Sequence, residues 1–100
     1  MLDLRRLMLL CELADLGTMT AVARNRRVTS SAVSQQLRVL EDEVDAVLFR
    51  RDGRTLRLTH SGEVLAEHAR RVLQAVDTAM SAVAAIQDRT AGRVTLEAVS

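Results

Sequence analysis

Between Thr59 and Arg89 the chain has no proline and a single glycine, Gly62. Thr59 is a good N-cap, so this stretch predicts a helix of about 30 residues, or about 45 Å. Such a rod outruns the modest core that a chain of 100 residues can build. Along it Leu65, Ala69, Val72, Val76, Ala79, Val83 and Ile86 alternate steps of four and three, with Leu73 and Met80 beside the line. That is a heptad seam. Its first third is expected to pack on the chain's own first helix. Beyond Val76 no other part of the chain is left to cover it, so a second copy is the expected partner. The residues assigned to that homodimer interface are Leu65, Val72, Val76, Ala79, Met80, Val83 and Ile86.

The rest of the chain must supply one small core, and Phe49 is its only aromatic residue. A core of Leu, Val, Ala and Met favours helices over a sandwich or barrel. Asp3 is the expected cap of a first helix running to about Leu16, with Gly17 as its left-handed stop. Apolar residues from Leu4 to Leu16 cover more than one face of that helix, so it should be buried from two sides. Thr18 or Thr20 opens a short helix to about Arg26, and Thr29 or Ser30 opens the next after a turn at Arg26-Arg27-Val28. This is helix-turn-helix spacing.

After Val44 the Asp45-Ala46 step ends the second helix of that pair. Residues 48–51 then pair with 55–58 across Asp52-Gly53, a dipeptide suited to a tight hairpin, with Leu56 and Leu58 inward and Thr55 and Arg57 outward. Past the long helix, Thr90-Ala91-Gly92 reads as a break and residues 93–99 alternate like a strand with nothing downstream to pair with. The chain therefore reads as part of something longer. The expected architecture is mainly α: a winged helix-turn-helix over residues 1–58, a linker and dimerisation helix over 59–90, and the start of a further domain over 91–100.

Charge supports a nucleic-acid role by position and not by total. The formal net charge is +1 and all basic residues are arginine, whose planar fork suits phosphates and guanine edges. Arg50, Arg51, Arg54 and Arg57 face only Asp52 across residues 50–57, whereas Glu41, Asp42, Glu43 and Asp45 cluster just upstream. The lone Cys11 sits in an apolar helical pattern and excludes an internal disulfide, as a reducing cytoplasm would favour. Asp3, Glu12 and Asp15 break any signal-peptide pattern, and the chain is too polar to span a membrane. Catalysis and metal binding find no support. There are two histidines, no glycine-rich phosphate loop, and Glu41 and Glu43 lie on different helix faces; no cofactor is implied.

The candidate site is the helix after the turn. Val33, Leu37, Leu40 and Val44 share one face, and Ser31, Ser34, Gln35 and Arg38 share the opposite one. If the helix enters a major groove N-terminus first, Ser30, Ser31, Ser34 and Gln35 are the candidates for base contact, because hydroxyls donate or accept and an amide can engage adenine bidentately. Thr18, Thr29, Arg38, Arg51, Arg54 and Arg57 are the candidates for the DNA backbone or minor groove. The competing reading is a winged-helix protein-interaction module without specific DNA binding.

Gly17-Thr18-Met19-Thr20 with Val22-Ala23, and Val28-Thr29-Ser30-Ser31-Ala32-Val33-Ser34-Gln35-Gln36-Leu37, carry a wider resemblance. Leu40-Glu41, Leu48-Phe49-Arg50-Arg51, Arg54, Leu58-Thr59 and Ser61-Gly62 continue it in order. In these segments the chain resembles the N-terminal DNA-binding region of LysR-type transcriptional regulators. The resemblance implies a winged helix-turn-helix on double-stranded DNA, a linker helix that pairs two subunits, and a C-terminal effector domain in full-length members, whose first strand residues 92–100 look like. It also implies a small-molecule effector and assembly as tetramers in the whole protein. Departures stand at the reading surface: Ser30-Ser31 replaces the frequent Gln-Pro, and Gln35 stands where Arg often follows the reading Ser. Arg26 occupies a usually apolar position, so its stem is expected to cover the core, and Asp45 replaces the usual Gly after the recognition helix.

Overall fold

The computed structural model describes residues 2–53 and 55–99, with side chains through residue 89. The order is α1 (Leu4–Leu16), α2 (Met19–Arg26), α3 (Ser30–Val44), β1 (Phe49–Asp52), β2 (Thr55–Leu58) and α4 (His60–Val99). Each short helix begins at a side-chain cap. The Asp3 carboxylate accepts the Arg5 N–H at 2.9 Å, and the Thr18 and Thr29 hydroxyls accept the Ala21 and Ala32 N–H groups, each at 3.1 Å. Of the alternative caps read from the sequence, Thr18 and Thr29 take the role. Gly17, Arg27 and Asp45 stop the three helices in the left-handed region, at φ 85°, 58° and 53°. Arg27 and Asp45 hold that conformation at some steric cost, which their C-cap hydrogen bonds offset.

The core lies between α1 and the elements around it. Leu7, Leu9, Leu10, Cys11 and Leu13 are all buried, and α1 packs against α2, α3 and α4, which is the two-sided burial its apolar pattern predicts. Val22, Val33, Leu37, Leu40 and Leu48 complete the interior, with Phe49, Leu56 and Leu58 of the hairpin half-buried against it.

The hairpin pairs Phe49 with Leu58, Arg50 with Arg57, Arg51 with Leu56 and Asp52 with Thr55. The turn therefore falls one residue later than Asp52-Gly53: Asp52 belongs to the ladder and Gly53, at φ 65°, is the first loop residue. Pairing 48–51 with 55–58 would instead set half-buried Phe49 opposite exposed Arg57 and exposed Arg50 opposite half-buried Leu56, and a one-residue slip sends every side chain to the wrong face. Leu56 and Leu58 do turn inward, and Thr55 and Arg57 outward.

At the base of the hairpin, Thr59 ties the approach to β1 to the start of α4. Its N–H donates to the Leu48 carbonyl at 3.0 Å, its hydroxyl donates to the Val47 carbonyl at 2.6 Å, and its hydroxyl oxygen accepts the Gly62 N–H at 3.0 Å. Gly62 is there because of close approach: a Cβ at this position would overlap the Leu48 carbonyl oxygen. Ala66 and Ala69 then bury against α1, and Leu65 and Leu73 are half-buried beside them.

Two expectations for α4 need correction. The helix does not stop near Arg89, and residues 93–99 form no strand; helix continues through Val99, Gly92 included. A strand there would leave its backbone groups without a neighbouring strand, whereas a helix satisfies them internally. That gain outweighs a glycine penalty of about 1 kcal/mol.

Candidate nucleic-acid interface

The N-termini of α2 and α3 and both strands of the hairpin surround one open groove of about 890 Å³. Thr18, Ser30, Ser31, Ser34, Gln35, Arg38 and Arg51 line it together. The Thr18 and Thr29 caps set the first free N–H groups of both helices at this side of the molecule, where the helix dipoles favour negative charge. Ser34 is half-buried, while Ser30, Ser31, Gln35 and Arg38 are exposed. Behind them, Val33, Leu37 and Leu40 are buried in the core, so the two faces of α3 separate as their spacing predicts.

The carboxylates explain how a chain of net charge +1 still presents a basic groove. Glu43 pairs with Arg6 at 3.1 Å, and the same guanidinium donates from Nε to the Gln36 side chain at 3.0 Å. Glu12 pairs with Arg26 at 2.7 Å, and Asp15 with Arg70 at 2.7 Å. Glu41 Oε2 accepts the N–H of buried Leu48 at 2.8 Å, which ties the approach to β1 back to α3. These acids are engaged within the fold, away from the groove lining. In contrast, Arg38, Arg50 and Arg51 have no carboxylate partner among the described residues.

Other sequence-level candidates fall outside the groove. Thr29 is a cap at its edge, and Arg57 stands on β2 in an exposed ion pair with Asp52 at 3.2 Å. Arg54 lies outside the described residues. Arg50 and Thr20 line the groove without having been singled out as site residues, because only the folded hairpin and the α2–α3 angle bring them there. Arg26 is half-buried, as its usually apolar position suggests, but its head pairs with Glu12, a contact across 14 residues that local spacing does not reveal.

On α4, Val72, Val76, Met80, Val83 and Ile86 are exposed, from 40% at Val76 to 66% at Met80, and Ala79 is exposed with them. Leu65, assigned to the same seam, is half-buried against the chain's own core. Burial holds the Cys11 thiol above its ordinary pKa, and the thiol reaches the Ala66 carbonyl at 3.7 Å. Among the described residues, no group of three or more His, Cys, Asp or Glu could hold a metal ion, and no helix is long and apolar enough to cross a membrane.

Two capped helices meeting at a turn, followed by a hairpin and a long helix, make the winged arrangement, and residues 4–63 match the family model described as bacterial regulatory helix-turn-helix protein, lysR family. The chain belongs to the lysR family. It is 38% identical over 90 residues to the probable HTH-type transcriptional regulator LtrA of Klebsiella pneumoniae, covering 90% of this chain and 29% of that protein. This lysR-family chain thus spans less than a third of that relative. Its fold is similar to that of DarR of Vibrio fischeri solved in complex with DNA, with a TM-score of 0.81 and 27% identity over 88% of this chain and 30% of that one. It is similar as well to the CbnR DBD–DNA complex, with a TM-score of 0.79 and 28% identity over 84% of this chain and 97% of that one.

Proposed function

We propose that this lysR-family chain is the sequence-specific DNA-binding part of a transcriptional regulator, acting in the cytoplasm as a homodimer. The observation that carries the reading is the convergence of Ser30, Ser31, Ser34, Gln35, Arg38 and Arg51 on one groove while Glu41 and Glu43 of α3 are engaged away from it, by the Leu48 N–H and Arg6. Ser30, Ser31, Ser34 and Gln35 face base edges in the major groove, with Gln35 the main reader because its free amide can engage adenine bidentately. Thr18, Thr29, Arg38, Arg51 and Arg54 contact the backbone or minor groove and set orientation, whereas Arg57, paired with Asp52 and off the groove lining, is kept from that role.

Residues 59–90 act as the dimerisation linker, and residues 91–100 lead toward an effector domain that in the whole protein binds a small molecule and supports tetramers. The exposed apolar seam from Val72 to Val83 supports the dimer, since a solvated helix face of valine and methionine at heptad spacing is stable only when covered. Two half-sites bound by one dimer then require a fixed spacing between its recognition helices.

The test is fluorescence anisotropy on a selected duplex and on single-base variants of it. Gln35→Ala should reduce discrimination at one position of each half-site by about 1–3 kcal/mol, and Arg38→Ala should weaken all sequences alike. Equal, sequence-independent losses in both variants would refute the division of roles. For the dimer, sedimentation should show Val76→Glu with Val83→Glu as a monomer at a concentration where the parent is a dimer; a monomeric parent would refute the seam.

A further inference from the structure

We propose that Arg50 is a phosphate-binding cation of the wing and that Asp52 holds Arg57 out of the same role. This inference rests on the DNA-binding reading above and deepens it.

The hairpin register is the first observation. Arg50 stands directly opposite Arg57, and Asp52 opposite Thr55, so these four side chains share one face of the ribbon. Two guanidinium groups facing each other repel, and the nearest carboxylate on that face can relieve only one of them. The structure shows which: Asp52 Oδ2 receives Arg57 Nε at 3.2 Å. The second observation is the position of the other guanidinium. Arg50 lines the groove beside the start of α3, is exposed, and has no carboxylate partner among the described residues, whereas Arg57 does not line the groove.

The Asp52–Arg57 pair is 64% and 77% exposed in its side chains, so it contributes little to folding. Its effect on DNA is larger than its effect on stability. The pair carries no net charge, and a phosphate approaching Arg57 must either displace the carboxylate or come close to it. Arg50 imposes neither condition. Binding affinity depends on salt through the phosphates neutralised, with log K falling by about 0.9 per contact for each unit of log salt concentration. The wing face is thereby expected to count as one contact when both of its arginines are present.

The experiment measures that slope on a short duplex of arbitrary sequence for the parent chain, Arg50→Ala, Arg57→Ala, Asp52→Asn and the double variant Asp52→Asn with Arg57→Ala. The hairpin tolerates Asp52→Asn, because the tip bond is donated by the Thr55 hydroxyl to the Asp52 backbone carbonyl at 2.8 Å and does not use the carboxylate. Arg50→Ala should lower the slope by about 0.9, Arg57→Ala by much less, and Asp52→Asn should raise it by up to about 0.9. In the double variant the gain should disappear. Equal losses for Arg50→Ala and Arg57→Ala, or an unchanged slope for Asp52→Asn, would overturn the assignment while leaving DNA binding intact. A parent chain with no salt-dependent binding would instead overturn the DNA-binding reading, and this inference with it.

Discussion

Glu41→Ala should destabilise the domain far more than its place in an acidic run suggests. In the structure its carboxylate accepts the Leu48 N–H at 2.8 Å, and Leu48 is 1% exposed, so water cannot take over when the acceptor is removed. The relevant cost is then that of leaving a buried donor unsatisfied, about 1–3 kcal/mol, and not the smaller net value of an average hydrogen bond. Gln at the same position keeps an acceptor oxygen but loses the charge assistance, roughly half the strength of the bond, so it should cost about 1 kcal/mol or less. Asp42, exposed on the neighbouring position with no side-chain bond among the described residues, supplies the control. Urea unfolding followed by circular dichroism at fixed protein concentration gives the midpoints, and equal slopes license their comparison. The expected order is parent and Asp42→Ala together, then Glu41→Gln, then Glu41→Ala. If Glu41→Ala matched Asp42→Ala, the bond would hold nothing together. Because the same bond ties the hairpin to α3, Glu41→Ala should also weaken DNA binding under conditions where it is still folded.

Gly62→Ala should cost about 1–3 kcal/mol in the same assay, since its methyl would overlap the Leu48 carbonyl oxygen and force the start of α4 away from the hairpin; a neutral result would mean that this junction yields freely. Cys11 should resist a thiol-specific disulfide reagent in the native state at mildly alkaline pH and react only at the rate of unfolding, because burial raises its pKa; rapid native labelling would contradict that. Hydrogen bonds from the Arg5 side chain and backbone hold the Asp3 carboxyl below its ordinary value of 3.8. Its cap therefore contributes fully above that pH and is lost as pH falls through the lower folded value. Asp3→Asn should remove this part of the acid dependence, and an unchanged acid-unfolding profile would refute it.

The parts of this fold legible in the sequence are those set by neighbours along the chain. Asp3, Thr18, Thr29 and Thr59 cap helices because a short oxygen two or three residues before a free N–H reaches it whatever the rest of the chain does. The two faces of α3 follow from helical periodicity in the same way. Contacts between distant elements were not legible. Glu41 and Glu43 stand in an acidic cluster whose spacing names no partner, yet one meets Leu48 and the other Arg6, because the packing of α1 and the hairpin on α3 decides what each carboxylate faces. The hairpin turn lies one residue later than the local signal for a related reason: Asp52-Gly53 has the right turn chemistry, but the inward packing of Phe49, Leu56 and Leu58 selects the register. At the far end of α4, alternation suggested a strand where the backbone, lacking a neighbour, remains helical. In the site, α3 supplied its candidates from spacing alone, while Arg50 and Thr20 join them only through the tertiary arrangement.

Selection of bound duplexes from a random-sequence pool, run in parallel with the parent chain and Gln35→Ala, tests the central claim most directly. The parent should enrich two related half-sites in inverted orientation at one fixed spacing, and Gln35→Ala should keep the spacing while losing preference at one position in each half. Recovery of no common sequence by the parent, or an identical preference in both proteins, would contradict the assignment of this groove as a reader of DNA sequence.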